Sequence, residues 1–213
     1  METKQEGNMM GRDTEVCGDP KIWFPMRVTY QREMKVKAEL DRLGIECFVP
    51  MRYKVVELPL DKLRARNGGD TELRRELVPA INNLIFVRST QERISGLKAS
   101  NEVLEPLRYM MDRTASREHA FMTVGDREME NFMRVASMTD DSVMFLDDES
   151  VLGKEGKHVQ IMGGVFEGVT GVIRRVKRCK RVVVELKGIA GVAIAFVPAV
   201  LLKEIEKSEC DFK

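Results

Sequence analysis

Histidine and cysteine are scarce in this chain of 213 residues, and aromatic residues make up only 6% of it. Two histidines, His119 and His158, leave little material for a metal centre or for a nucleophile paired with a base. The four cysteines stand apart at positions 17, 47, 179 and 210, with no C-x-x-C pair. Such scatter argues against a zinc site and a disulfide framework, and for reduced thiols. No stretch approaches the roughly 18 consecutive apolar residues of a membrane-spanning helix. The N-terminus, M-E-T-K-Q-E-G-N-M-M-G-R-D-T-E-V, lacks the apolar core of a secretion signal. The expectation is a cytoplasmic monomer with no cofactor, no metal and no membrane partner. It is not expected to be an enzyme, because no base, nucleophile and orienting group converge.

What is present is organised unevenly. The net charge is +1, yet residues 1–20 carry two basic and five acidic side chains, and residues 138–153 carry five acids and no base. Residues 21–137 hold 21 bases against 17 acids, and residues 154–213 hold 12 against seven. Two mildly basic bodies joined by an acidic segment suit nucleic acid or an acidic protein surface as partners. With 43% apolar residues, the chain can fill two small cores. The divisions are a disordered tail at 1–20, a domain at 21–137, an acidic linker at 138–153, a second domain at 154–207 and a tail at 208–213.

Order begins at K-I-W-F-P-M-R-V-T-Y, a β-like run in which Pro25 points to an edge or a bulge, since proline donates no ladder hydrogen bond. A helix follows over residues 32–44, with Met34, Val36, Leu40 and Leu43 as its apolar stripe and Gly44 as its cap. Ile45–Pro50 reads as a strand. Further strands are expected at 52–58 and 77–87, with the charged stretch 61–76 between them as an exposed hairpin or loop. Leu84–Val87 is a continuous apolar run suited to the centre of a sheet. Helices are expected at 91–99 and 125–136, the latter with a stripe of Met129, Phe132, Met133 and Ala136, and short strands near 103–108 and 120–123. The first domain is therefore α+β.

Within the acidic linker, Met144, Phe145 and Leu146 are apolar and available to dock onto a domain. From residue 157 the pattern is all β, with strands near 158–162, 169–177, 181–187 and 191–197, spaced as in a small barrel. The segment H-V-Q-I-M-G-G-V-F-E-G-V-T-G-V, His158 to Val172, reads as strand, glycine turn and strand with Phe166 at the turn. Gly163 and Gly168 have the spacing of a phosphate loop, but Val169 and Thr170 follow where lysine and serine or threonine are required. The run R-R-V-K-R-C-K-R, 174–181, holds six bases in eight residues. A solvated hairpin turn and a contact with nucleic acid or an acidic protein through Arg175, Lys177 and Arg178 are about equally good readings of it.

The segment 158–172 resembles the KOW motif, and the order of pieces over residues 21–206 resembles the NusG family of transcription elongation factors. The residues that carry this are Trp23-Phe24 on the opening strand, Arg32-Glu33 with Val36 and Leu40 in the first helix, Gly44-Ile45-Glu46 with Phe48-Val49-Pro50, and Asn83-Leu-Ile-Phe-Val87. The resemblance implies an NGN-like antiparallel sheet flanked by helices, followed by a small all-β KOW barrel. General factors of the family carry Pro-Gly-Tyr before the central strand, where this chain has V-P-A-I-N-N-L. That departure resembles the UpxY-type paralogues, processive antiterminators of capsular polysaccharide operons.

By that resemblance the main partner is bacterial RNA polymerase, whose clamp helices would meet an apolar pocket, with Trp23, Phe24, Val78, Ile81 and Leu84 as the contact residues. Arg32, Lys35 and Lys37 would meet non-template DNA through phosphates, and the hairpin bases would meet nascent RNA. Phe166 is the contact through which the barrel would bind a ribosomal protein or a termination factor. Trp23 and Phe24 alternate on one strand, so they face opposite ways, and either alone is more often core than contact. The competing reading is an RNA- or ribosome-binding adaptor that uses only the barrel.

Overall fold

The computed structural model describes residues 20–59, 71–112, 120–138, 142–146 and 155–206. The tails expected at 1–20 and 208–213 lie outside these residues, apart from Pro20, as does 60–70 of the expected loop. Among the described residues the chain forms three α-helices and antiparallel sheets of four, six and two strands.

The four-stranded sheet comprises β1 (Ile22–Val28), β2 (Glu46–Phe48), β5 (Leu84–Ser89) and β6 (Leu107–Tyr109), in the order β2-β5-β1-β6. The apolar run Leu84–Val87 is interior, as its composition requires. β1 is interior too, so Pro25 is not at an edge. The ladder accommodates it: the Pro25 carbonyl accepts from Met110 N, while the Met110 carbonyl, which a residue with an N–H at position 25 would use, accepts from Met122 N instead.

Phe24, Met26 and Val28 point to one face, where they pack with α1 (Glu33–Arg42) and α2 (Gln91–Ser100) through Val36, Leu40 and Ile94. Residues 33, 36 and 40 share a helical face, so Glu33 is buried with Val36 and Leu40 whereas Met34 is 45% exposed. Gly44 ends α1 at φ +65°, the left-handed backbone a helix C-terminus favours. Trp23, Leu84 and Phe86 point to the other face, toward α3 (Asp126–Ala136). There Phe132 meets Phe86 at 5.6 Å and Phe48 edge-on at 6.4 Å between ring centroids.

β3 (Met51–Pro59) and β4 (Thr71–Pro79) form a separate two-stranded ribbon. Residues 71–76, expected within a loop, are strand, and the strand expected over 77–87 is broken by a turn at 80–83. Near 103–108 only Leu107–Tyr109 is a strand, and 120–123 contributes a single bridge, Met111 to Phe121.

The six-stranded sheet has the order β12-β8-β9-β10-β11-β7, with β8 (Lys157–Ile161), β9 (Thr170–Val176), β10 (Cys179–Leu186), β11 (Ala190–Ile194) and β12 (Leu202–Glu204). Its sixth strand, β7 (Val143–Leu146), comes from the acidic segment, where the three apolar residues dock along β11. Gly168 N donates to the Ile161 carbonyl and Ile161 N to the Val169 carbonyl, so the glycine segment closes as a structural turn.

Candidate functional site

Alternation on β1 sends Trp23 and Phe24 into different cores. Trp23, 2% exposed, and Leu84, 1% exposed, belong to a buried cluster that runs without a break from the four-stranded sheet through α3 into the six-stranded sheet. Met129, Phe132, Val135 and Ala136 of α3 sit in it beside Val159, Ile161, Val182 and Val184. Ile81 and Phe166, both half-buried, pack against this same cluster. Phe24 lies in the opposite core, and Val78 is half-buried on β4. The structure thus gathers Trp23, Ile81, Leu84 and Phe166, and leaves Phe24 and Val78 apart from them.

Polar contacts bind the two sheets across α3. Asn131 Nδ2 donates to Thr170 Oγ1 at 3.2 Å, and Arg134 donates to the Val165 carbonyl at 3.5 Å. A cavity of about 90 Å³ lies between Arg127, Glu128 and Asn131 on one side and His158, Thr170 and Glu185 on the other. On the edge of α3, Arg88 spans Glu46 and Asp126, at 3.2 and 3.1 Å. These links lock α3 to its own sheet and to the six-stranded one.

The basic candidates divide by environment. Arg32 is exposed, its guanidinium 5.6 Å from the centre of the Tyr30 ring. Lys35 is exposed, but Lys37 is held by Asp41 at 2.7 Å, and that hydrogen bond raises its ammonium pKa against the opposing effect of burial. In the run 174–181, Arg175, Lys177 and Arg178 are exposed, whereas Arg174 is 8% exposed and grips Glu185 through both oxygens. Arg181 donates to the Ala195 carbonyl. The run is therefore not a uniformly solvated turn. Its tip, Lys177 at φ +48° and Arg178 at φ +69°, is a two-residue turn of left-handed residues that glycine or asparagine would adopt at less cost.

A family model described as "Transcription termination factor nusG" matches residues 21–133, from the start of β1 to within α3. The chain belongs to the NusG family. NusG-family proteins are transcription factors, and they bind RNA polymerase. The solved structure "Domain interaction in Thermotoga maritima NusG" is similar over 87% of this chain and 98% of its own, at 16% identity and a TM-score of 0.41. No curated protein matches. Within the described residues no three histidine, cysteine or acidic side chains gather as for a metal ion, and no helix is long and apolar enough to cross a membrane.

Three features of this NusG-family chain escape sequence reasoning. Tyr30 is 83% exposed in left-handed backbone at φ +63°, next to Gln31 at φ +51°. Gln31 N donates to the Asn83 side chain, and Asn83 N donates to the buried Glu33 carboxylate, so one loop is pinned onto another. Arg27 stands directly opposite Arg108, a like-charge pair that costs stability on a bare sheet. On the β3–β4 ribbon, Tyr53, Val55, Leu73 and Leu77 fall on one face by register, each at least half exposed. Only β3 of the ribbon had a signal in the sequence, the alternation of Tyr53 with Val55.

Proposed function

We propose that this protein is a specialised NusG paralogue that acts as a processive antiterminator: it binds the clamp helices of RNA polymerase and suppresses pausing and termination. The UpxY-like stretch V-P-A-I-N-N-L supports polysaccharide operons as its targets and the cytoplasm as its place of action. One observation carries the reading. Trp23 and Leu84 of the four-stranded sheet share one apolar cluster with Ile81 at its rim, and that cluster is continuous with the six-stranded sheet and with Phe166. A coiled-coil tip fits such a surface as a helix fits a groove. In this arrangement α3 and the six-stranded sheet together cover the cluster, so polymerase meets its rim at Ile81 and gains the rest only when that cover moves. That sheet, a KOW-type barrel in this reading, then offers Phe166 to a ribosomal protein or a termination factor. Exposed Arg32 and Lys35 reach non-template DNA through phosphates.

Single-round transcription on a template with a pause and a terminator tests this. Wild-type protein raises read-through, and Ile81→Glu, at a half-buried position outside the core, abolishes the gain while the melting curve stays unchanged. Read-through equal for wild type and variant sinks the clamp-binding reading. The adaptor reading keeps one supporting feature, the exposed basic turn at Lys177 and Arg178. It takes precedence if charge reversal of Arg175, Lys177 and Arg178 removes RNA crosslinking while transcription is untouched.

A further inference from the structure

β7 occupies an odd place. In sequence it lies between α3 and β8, yet it pairs with β11, across the sheet from β8. The register Val143↔Ile194, Met144↔Ala193, Phe145↔Val192 and Leu146↔Gly191 is extended by Ala195 N donating to the Ser142 carbonyl at 2.7 Å. Its two faces do different work. Val143 and Phe145 pack against the cluster that contains α3, while Met144 and Leu146 pack with Val176, Val183 and Ala193 of the six-stranded sheet itself. β7 is thus an edge strand with one face toward the cluster that contains α3 and the other in the small core of the six-stranded sheet.

We propose that β7 is a releasable strap, whose pairing with β11 holds the six-stranded sheet on α3 and whose release lets the two separate. The reach of the chain is the first reason. With β7 paired, six residues (137–142) join α3 to the sheet and span at most about 25 Å. With β7 released, 20 residues (137–156) intervene before β8, and the reach grows to about 70 Å. Effective concentration falls roughly as the −3/2 power of connector length, so release alone weakens the contact by about sixfold. Loss of the Val143 and Phe145 contacts adds to that. The second reason is the marginal hold of β7: four residues, one neighbouring strand, and only Leu146 buried. The acidic residues 140, 141 and 147–149 on either side favour water over apolar burial. Release also bares the edge of β11, whose five residues are all buried, so the strap protects an edge that would otherwise template aggregation.

The test uses the full chain free in solution, with no polymerase, so its outcome is independent of the transcription reading. Hydrogen exchange is followed by NMR in wild type, in Met144→Pro/Phe145→Pro, and in a variant with a ~12-residue Gly-Ser insertion after Met138, which lengthens the connector and leaves β7 intact. The proline variant lowers protection in β11 and in α3 together. The insertion lowers α3 protection by about fivefold, as the −3/2 power of an 18- to six-residue ratio requires. If the proline variant loses protection in β11 alone, β7 is an edge cover and not a strap. Should that variant unfold, the insertion decides, and unchanged α3 protection overturns the proposal.

Discussion

Removing the Glu185 carboxylate strands a guanidinium. The side chains of Arg174 and Glu185 are 6% and 11% exposed, and they form a two-pronged pair with Nη2–Oε1 at 2.6 Å. Such a pair adds little over a well-packed apolar replacement, but breaking one partner leaves an uncompensated buried charge at a cost of about 3–5 kcal/mol. A unit of some 60 residues typically holds only about 3–9 kcal/mol of stability, so Glu185→Ala consumes much or all of it. Urea unfolding followed by far-ultraviolet circular dichroism reads this directly. With a slope of about 2 kcal/mol per molar, the midpoint of the single variant falls by roughly 1.5–2.5 M. The double variant Arg174→Met/Glu185→Leu stays within about 1 kcal/mol of wild type. A single variant within ~0.3 M of wild type refutes the reasoning, and so does a double variant as unstable as the single.

Two further outcomes follow from buried groups. Glu33→Ala deprives Asn83 N–H of its acceptor, costing about 2 kcal/mol and lowering the melting temperature by about 4–8 °C, whereas Glu33→Gln keeps an acceptor and loses less; melting within ~1 °C of wild type for the alanine variant contradicts this. Burial, helped by the neighbouring Asp41 charge, pushes the Cys47 thiol up to about 12, so Cys47 reacts with iodoacetamide at pH 8 on the order of a hundredfold more slowly than exposed Cys179. Peptide mass spectrometry after timed labelling measures both rates, and equal rates remove the burial claim.

Local signals were legible and distant pairings were not. The helix of 125–136 is readable because its apolar residues recur at helical spacing, and Gly44 is readable because a left-handed cap needs glycine. β4 is unreadable because a ribbon exposed on its charged face carries glutamate and arginine where a buried strand would carry valine. β7 is four residues set among acids, and what makes it a strand is β11, almost 50 residues further on. Pro25 misleads for the same reason, since whether β1 tolerates it depends on Met110 turning its carbonyl to Met122. The candidate contacts were found by residue type, but their faces were not, because alternation separates Trp23 from Phe24 without saying which side α3 will cover.

That separation constrains how any contact residue can be established. Trp23 and Leu84 are core in this arrangement, at 2% and 1% exposure, so a charged substitution at either position loses binding whether or not polymerase touches it. Loss of function there carries no information about contact. Ile81 is different: it is half-buried, it sits in the turn between β4 and β5, and it packs against the same cluster from its rim. Glutamate at Ile81 can turn to solvent, which leaves the fold intact and places a charge at the edge of the apolar surface. A residue of this kind separates the cost of folding from the cost of binding, and the assignment of the surface rests on it rather than on the larger buried side chains beside it.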